Sequence, residues 1–190
     1  MNALIIVDPQ NDFITGSLPV PGAQEAMRAL AGTLGAIPAD EVFVTADCHP
    51  FGHTSFKEEG GIWPVHCVKY SEGAAIEPVL LEALRTAKDK ATRFLEKATA
   101  VDKDEYSAFE TGYPKSLDEA ETIFVAGLAG DVCVQTSIRD LAKHGLKDKI
   151  TVITDAAPSL DGGARLGETI RELGLKKTTL KSLNQNNTGD

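Results

Sequence analysis

Residues Thr122 to Cys133 read TIFVAGLAGDVC, and this stretch decides the fold. The apolar run Thr122–Ala126 is short, rich in strand formers and followed at once by small turn residues, as expected of a buried strand. The turn Leu128–Cys133 opens into Val132–His144, an amphipathic stretch that stops at Gly145 and is read as a helix. Cys133 falls at the helix start, where unpaired N–H groups and the helix dipole favour negative charge. Its thiol is therefore expected to ionise more readily than a free one.

Outward from this unit, short apolar runs alternate with longer amphipathic ones. Ala3–Val7, Glu41–Ala46, Arg93–Glu96 and Lys149–Ile153 are the other strand candidates, and Gln24–Leu34, Pro78–Lys88 and Asp161–Leu173 the other helices. The alternation predicts a single α/β domain: a three-layer, doubly wound, mostly parallel sheet with helices on both faces. The domain is expected to span residues 1–183. Leu175–Leu183 is ambiguous, with an edge strand as one reading, and residues 184–190 read as a polar, frayed tail.

At 190 residues the chain is long enough for a sizeable core. The net charge of -9 disfavours nucleic acid, and no apolar run approaches a bilayer span. Cys48, Cys67 and Cys133 are odd in number and lack paired spacing, and the N-terminus lacks a basic leader, so a reducing, cytoplasmic setting is expected.

Each strand candidate is followed by a residue capable of chemistry: Asp8, then Asp47 and His49, then Lys97, then Cys133. In an open parallel sheet the carboxyl ends of the strands share one edge, so these groups can converge there. Asp8, Lys97 and Cys133 supply an acid, a cation and a thiol, the set that cysteine-dependent amide hydrolysis needs. A carboxylate takes the thiol proton and returns it to the leaving amine, while backbone N–H groups around Ala129 and Cys133 receive the developing oxyanion. A salt bridge between Asp8 and Lys97 that only orders the strand ends is the alternative.

A second constellation holds three of the four histidines: Asp47, His49, His53 and His66. One carboxylate with two or three imidazoles suits a divalent transition metal, zinc first, with iron or manganese as alternatives. Cys48 and Cys67, which flank these residues, are read as packing residues.

The chain resembles the nicotinamidase/pyrazinamidase branch of the isochorismatase-like cysteine hydrolases, over about Ala3 to Leu173. ALIIVDPQNDFITGSLPVPGA is similar to the family's first strand and acid-bearing loop, HPFGHTSF to its histidine-rich loop, KATAVDKDEYSAF to its lysine segment and AGLAGDVCV to its nucleophile loop. The resemblance implies Asp8, Lys97 and Cys133 as catalytic residues, with Lys97 preferred over Lys103, and Asp47, His49 and His66 as metal ligands. His53 corresponds to a position that is a ligand in some members and stands behind the ligands in others. Phe13, Trp63, Tyr106 and Ala129 are implied at the substrate, and Ala129 with Cys133 at the oxyanion. A cis peptide is expected between Ala129 and Gly130.

The implied activity is hydrolysis of nicotinamide, and of pyrazinamide, to the acid and ammonia through a thioester, as in NAD salvage. The implied partner is that small molecule, in a protein that belongs to a family of frequent homo-oligomers. Three positions depart from the commoner pattern. Cys48 stands where an aromatic is usual, Gly130 replaces threonine and Val132 replaces tyrosine or histidine, so a looser nucleophile turn is expected. The alternatives are a family relative with a different substrate, and a non-catalytic metal- or nucleotide-binding domain. Against the latter, the chain has neither G-x-G-x-x-G after its first strand nor a phosphate-binding G-x-x-x-x-G-K-[ST].

Overall fold

Six strands, β1 (Asn2–Val7), β2 (Glu41–Asp47), β3 (Ala91–Lys97), β4 (Thr122–Gly127), β5 (Ile150–Ile153) and β6 (Lys176–Thr178), form one sheet in a computed structural model that describes residues 1–186. The strand order is β3-β2-β1-β4-β5-β6 and every pairing is parallel. The order reverses between β1 and β4. A crevice opens there at the carboxyl ends of the strands, because the connections leave to opposite faces.

The helices are α1 (Asn11–Ile14), α2 (Ala23–Thr33), α3 (Pro78–Thr86), α4 (Gln135–Lys143), α5 (Ala164–Leu173) and α6 (Leu180–Asn186). The two-residue period of a strand sends alternate side chains of β1 to opposite faces. Leu4 and Ile6 join one core with Met27 and Leu30 of α2, Leu80 and Leu84 of α3 and Leu180 of α6. Ala3, Ile5 and Val7 join a second core with Ile138 and Leu141 of α4 and Leu166 of α5. Helices on both faces therefore hold the sheet, as the alternation of runs predicts.

Local signals set the helix boundaries. Pro78 opens α3, and the Glu77 carboxylate caps it by accepting from Leu80 N–H at 2.7 Å. Gly174, with φ of 64°, closes α5 in the left-handed conformation that costs glycine least. The ambiguous segment Leu175–Leu183 divides into the edge strand β6 and the start of α6. That helix runs on through Asn184 to Asn186, into the segment read as a frayed tail, and residues 187–190 lie outside the described residues. No helix among the described residues is long and apolar enough to cross a membrane.

Candidate active site

The carboxyl edge of the sheet brings Asp8, Asp47, Lys97 and Cys133 together from four different strands. Lys97, at the end of β3, is 3 % exposed, and its Nζ lies 3.0 Å from Asp8 Oδ2 and 3.6 Å from Cys133 Sγ. The same ammonium donates a short hydrogen bond to Asp47 Oδ1. Asp8 Oδ1 accepts from the Thr45 hydroxyl at 2.6 Å, whereas Oδ2 has no aligned donor. That second oxygen is ion-paired with the Lys97 ammonium and carries no hydrogen bond that would bar a proton. Asp8, Asp47 and Cys133 present atoms that all lie within 4.8 Å of one another.

Burial and charge set the protonation of this cluster. Burial lowers the affinity of Lys97 for its proton, but Asp47 and Asp8 outweigh it and hold the ammonium charged well beyond the usual range. Burial pushes Asp47 up, and Lys97 and His49 more than reverse this, so it stays a carboxylate. Asp8 goes the other way: burial, aided by Asp47, raises it against the pull of Lys97.

Cys133 corrects the expectation of easy ionisation. Its α-helix begins only at Gln135, after a wide π-helical turn Gly130–Val134, and the thiol is buried. Burial, with Asp8 and Asp47 nearby, raises the thiol well above its ordinary value despite Lys97. A local helix-end effect of at most about 2 kcal/mol does not overcome a desolvated site with two carboxylates.

The turn that bears Cys133 is fixed by backbone. Leu128 N–H donates to Val7 O at 2.7 Å, and a Cβ on Gly127 would lie 2.1 Å from the same oxygen, so only glycine fits there. Val132 N–H and Val134 N–H both donate to Ala129 O, while Ala129 N–H has no acceptor among the described residues.

Two details differ from what the resemblance implied. The cis peptide joins Leu128 and Ala129, and the Ala129–Gly130 peptide is instead engaged through Gly130 N–H with Pro158 O at 2.8 Å. Gly130 also makes the turn closer rather than looser, since a Cβ there would meet Ser159 Oγ at 2.2 Å and Ala157 O at 2.6 Å.

Beside the thiol, Asp47, His49 and His66 converge. His49 Nε2 lies 3.2 Å from His66 Nε2 and 3.5 Å from Asp47 Oδ2, and His66 Nε2 lies 3.9 Å from that oxygen. Metal bonds of about 2.0–2.2 Å place neighbouring donors roughly 3–3.6 Å apart, so the two distances from His49 fit one divalent cation and the His66–Asp47 pair stands slightly wider. His66 Nδ1–H donates to Pro64 O at 2.7 Å, which leaves its Nε2 as a lone pair facing His49, and burial keeps the ring neutral.

His53 stands behind this trio. Its ring lies 4.2 Å from that of His49, but Nε2 is bonded to Lys103 O at 3.0 Å and Nδ1 to Ser55 Oγ at 2.7 Å. Both ring nitrogens are engaged away from the donor cluster. Lys103 itself is exposed and paired with Glu105 and Glu110. Cys48 sits beside Glu96 and Lys69, and Cys67 is buried and held as a thiol, far from ionising.

A cleft opens over the cluster, lined by Phe13, Trp63, Tyr106, Ala129 and Val132 together with Asp47, His49, His66 and Cys133. Trp63 Nε1–H donates to Tyr106 Oη at 3.1 Å, and Phe13 leans on His66 with ring centroids 5.5 Å apart. Burial raises the Tyr106 phenol to about 12, so it stays a hydroxyl.

Residues that sequence reasoning missed hold this site in place. Gln10 is fully buried and brackets the Asp47 peptide, with Oε1 accepting from Asp47 N–H and Nε2 donating to Asp47 O, both at 2.8 Å. The Asp12 carboxylate accepts from Cys67 N–H at 2.7 Å, which anchors the chain next to His66. Their position directly after β1, at the start of α1, was the available signal. Gln10→Ala is expected to weaken divalent-metal affinity by roughly 10–100-fold, the usual effect of losing a group that orients ligands. Competition with a chromogenic chelator measures this.

Fold and site together point to an α/β enzyme with its candidate site at the switch point of a doubly wound sheet. Residues 2–169 match the isochorismatase domain family. The chain is 34% identical to the nicotinamidase/pyrazinamidase of Mycobacterium tuberculosis, over 85% of this chain and 89% of that protein. Among solved structures, the zinc complex of Pyrococcus horikoshii pyrazinamidase aligns with a TM-score of 0.76 and 30% identity, over 94% of this chain and 98% of that one. A protein of L. infantum in complex with nicotinate aligns at 0.81 and 29%, over 96% and 94%. The chain is an enzyme of the isochorismatase family and belongs to its nicotinamidase/pyrazinamidase branch.

Proposed function

We propose that the protein hydrolyses nicotinamide to nicotinic acid and ammonia, and pyrazinamide likewise, through a thioester on Cys133. The observation that carries this reading is the contact of Lys97 with Asp8, Asp47 and Cys133 on the floor of an aromatic cleft that also holds the Asp47, His49 and His66 donors. A flat heteroaromatic amide with a ring nitrogen and a carboxamide suits such a cleft. Holding it at both ends contributes several kcal/mol of orientation, of the roughly 7–11 available in the best cases.

The steps follow from the geometry of the cluster. Asp8 Oδ2 takes the Cys133 proton, and burial, aided by Asp47, raises the affinity of Asp8 for it. Sγ bonds to the amide carbon, and the N–H groups of Ala129 and Cys133 receive the carbonyl oxygen as it gains charge. Asp8 then protonates the departing nitrogen, ammonia leaves, and the acyl group remains on sulfur. Water, deprotonated by Asp8, cleaves the thioester and the proton returns to the thiolate. Lys97 keeps its proton throughout and offsets the negative charge that moves between Asp8 and Cys133. A divalent cation held by Asp47, His49 and His66, zinc before iron or manganese, would act as a Lewis acid toward the substrate's ring nitrogen.

Three free cysteines support a reducing, cytoplasmic setting, and the product is the acid expected of NAD salvage. Ammonia release from nicotinamide by metal-loaded protein is the expected result, with at least roughly a hundredfold loss after a strong chelator and recovery on adding metal back. No release by the loaded protein overturns the assignment.

A further inference from the structure

The nucleophile turn carries a buried carboxylate that the reaction does not use. Asp131 is 6 % exposed, and both its oxygens reach the chain that follows β5: Oδ1 accepts from Leu160 N–H at 2.9 Å and Oδ2 from Asp161 N–H at 3.1 Å. One residue earlier, Gly130 N–H donates to Pro158 O, and the absence of a side chain at 130 lets Ala157 and Ser159 close against the turn. Three hydrogen bonds thus latch Pro158–Asp161 onto the loop that bears Cys133.

Leu160 is the residue that this latch presents to the cleft. It lines the catalytic cavity, is 38 % exposed, and also lines an outer groove with Ile62 and Thr136. Trp63, Tyr106 and Val132 line both spaces as well, so these four side chains form the partition between them. Leu160 is the only one of the four carried by the segment after β5. Its main chain is held by Asp131.

We propose that Asp131 is a positioning residue which, by gripping the Leu160 and Asp161 amides, fixes Leu160 as the outer wall of the substrate cavity and so sets the largest ring system the site accepts. This rests on the nicotinamidase reading and names its size limit: single-ring heteroaromatic carboxamides fit inside the wall, and fused bicyclic ones do not. With the ring nitrogen and the carboxamide as the two deep anchors, the ring edge opposite them faces the partition. A fused second ring needs the room that Leu160 fills.

The test compares kcat/KM for nicotinamide and quinoline-3-carboxamide in the wild type, Leu160→Ala, Asp131→Ala, the double variant and Asp131→Asn. Leu160→Ala is expected to shift the ratio toward the bicyclic amide by roughly tenfold or more, the usual worth of a few methylene groups in a pocket wall. Asp131→Ala shifts it the same way, and the double variant adds little, because both changes remove one wall. Asp131→Asn keeps an acceptor for Leu160 N–H and retains most of the discrimination. A ratio unmoved in Leu160→Ala, or a loss in Asp131→Ala that is equal for both amides, overturns the proposal. Since Leu160 lies at the surface of a loop, its variant also reads the wall independently of any folding defect in Asp131→Ala. Failure of the wild type to release ammonia from nicotinamide is a separate result: it overturns the underlying reading and this inference with it.

Discussion

Cys133→Ala is expected to lower ammonia release from nicotinamide by about a millionfold, to the level left by binding alone, because no other group in the cleft can carry the acyl chain. Cys48 and Cys67 are buried thiols kept from ionising, and neither belongs to the cluster around Lys97. The thiol packs in the core between sheet and α4, so its removal costs little more than one small cavity. Intact-mass measurement during turnover supplies the direct check: the wild type gains the mass of a nicotinoyl group and the variant gains nothing. Substantial turnover by Cys133→Ala would mean that water attacks the amide directly.

Asp8→Asn should reduce kcat by roughly 10⁴-fold while the shape of the site is preserved. The asparagine keeps an acceptor for the Thr45 hydroxyl, which now meets Asp8 Oδ1, but it cannot accept the thiol proton at the position of Oδ2. Lys97 then faces one carboxylate fewer, and the thiol remains protonated. Binding of nicotinate, followed by thermal shift, separates a chemical defect from loss of the pocket. An Asp8→Asn protein within tenfold of wild-type kcat would remove Asp8 from the proton path.

The convergence of Asp8, Asp47, Lys97 and Cys133 was legible before any coordinates because a parallel sheet puts the carboxyl ends of its strands on one edge. Each residue follows an apolar run, so chain order sufficed. The trio Asp47, His49 and His66 was legible from residue type and clustering. The edge of the sheet stayed ambiguous, with an edge strand as one reading of Leu175–Leu183, because β6 is three residues of Lys-Lys-Thr at the surface, with no buried face to impose a period of two. The ionisation of Cys133 was misread because the local helix argument contains neither the burial nor the two carboxylates, which arrive from β1 and β2. Gln10, Asp131 and Leu160 escaped notice for a related reason. Their roles are defined by partners on distant loops, such as Ala74 O for Gln10 and the Leu160 amide for Asp131, and single-sequence patterning carries no record of such pairs.

The close approach of Gly127 to Val7 has a consequence for how far such a protein can drift. Main chain touches main chain there, so the spacing between the acid on one strand and the sulfur beyond the next is dimensioned by peptide geometry, not by the bulk of any core residue. Repacking of the two cores can then proceed substitution by substitution without detuning the chemistry, provided position 127 stays bare.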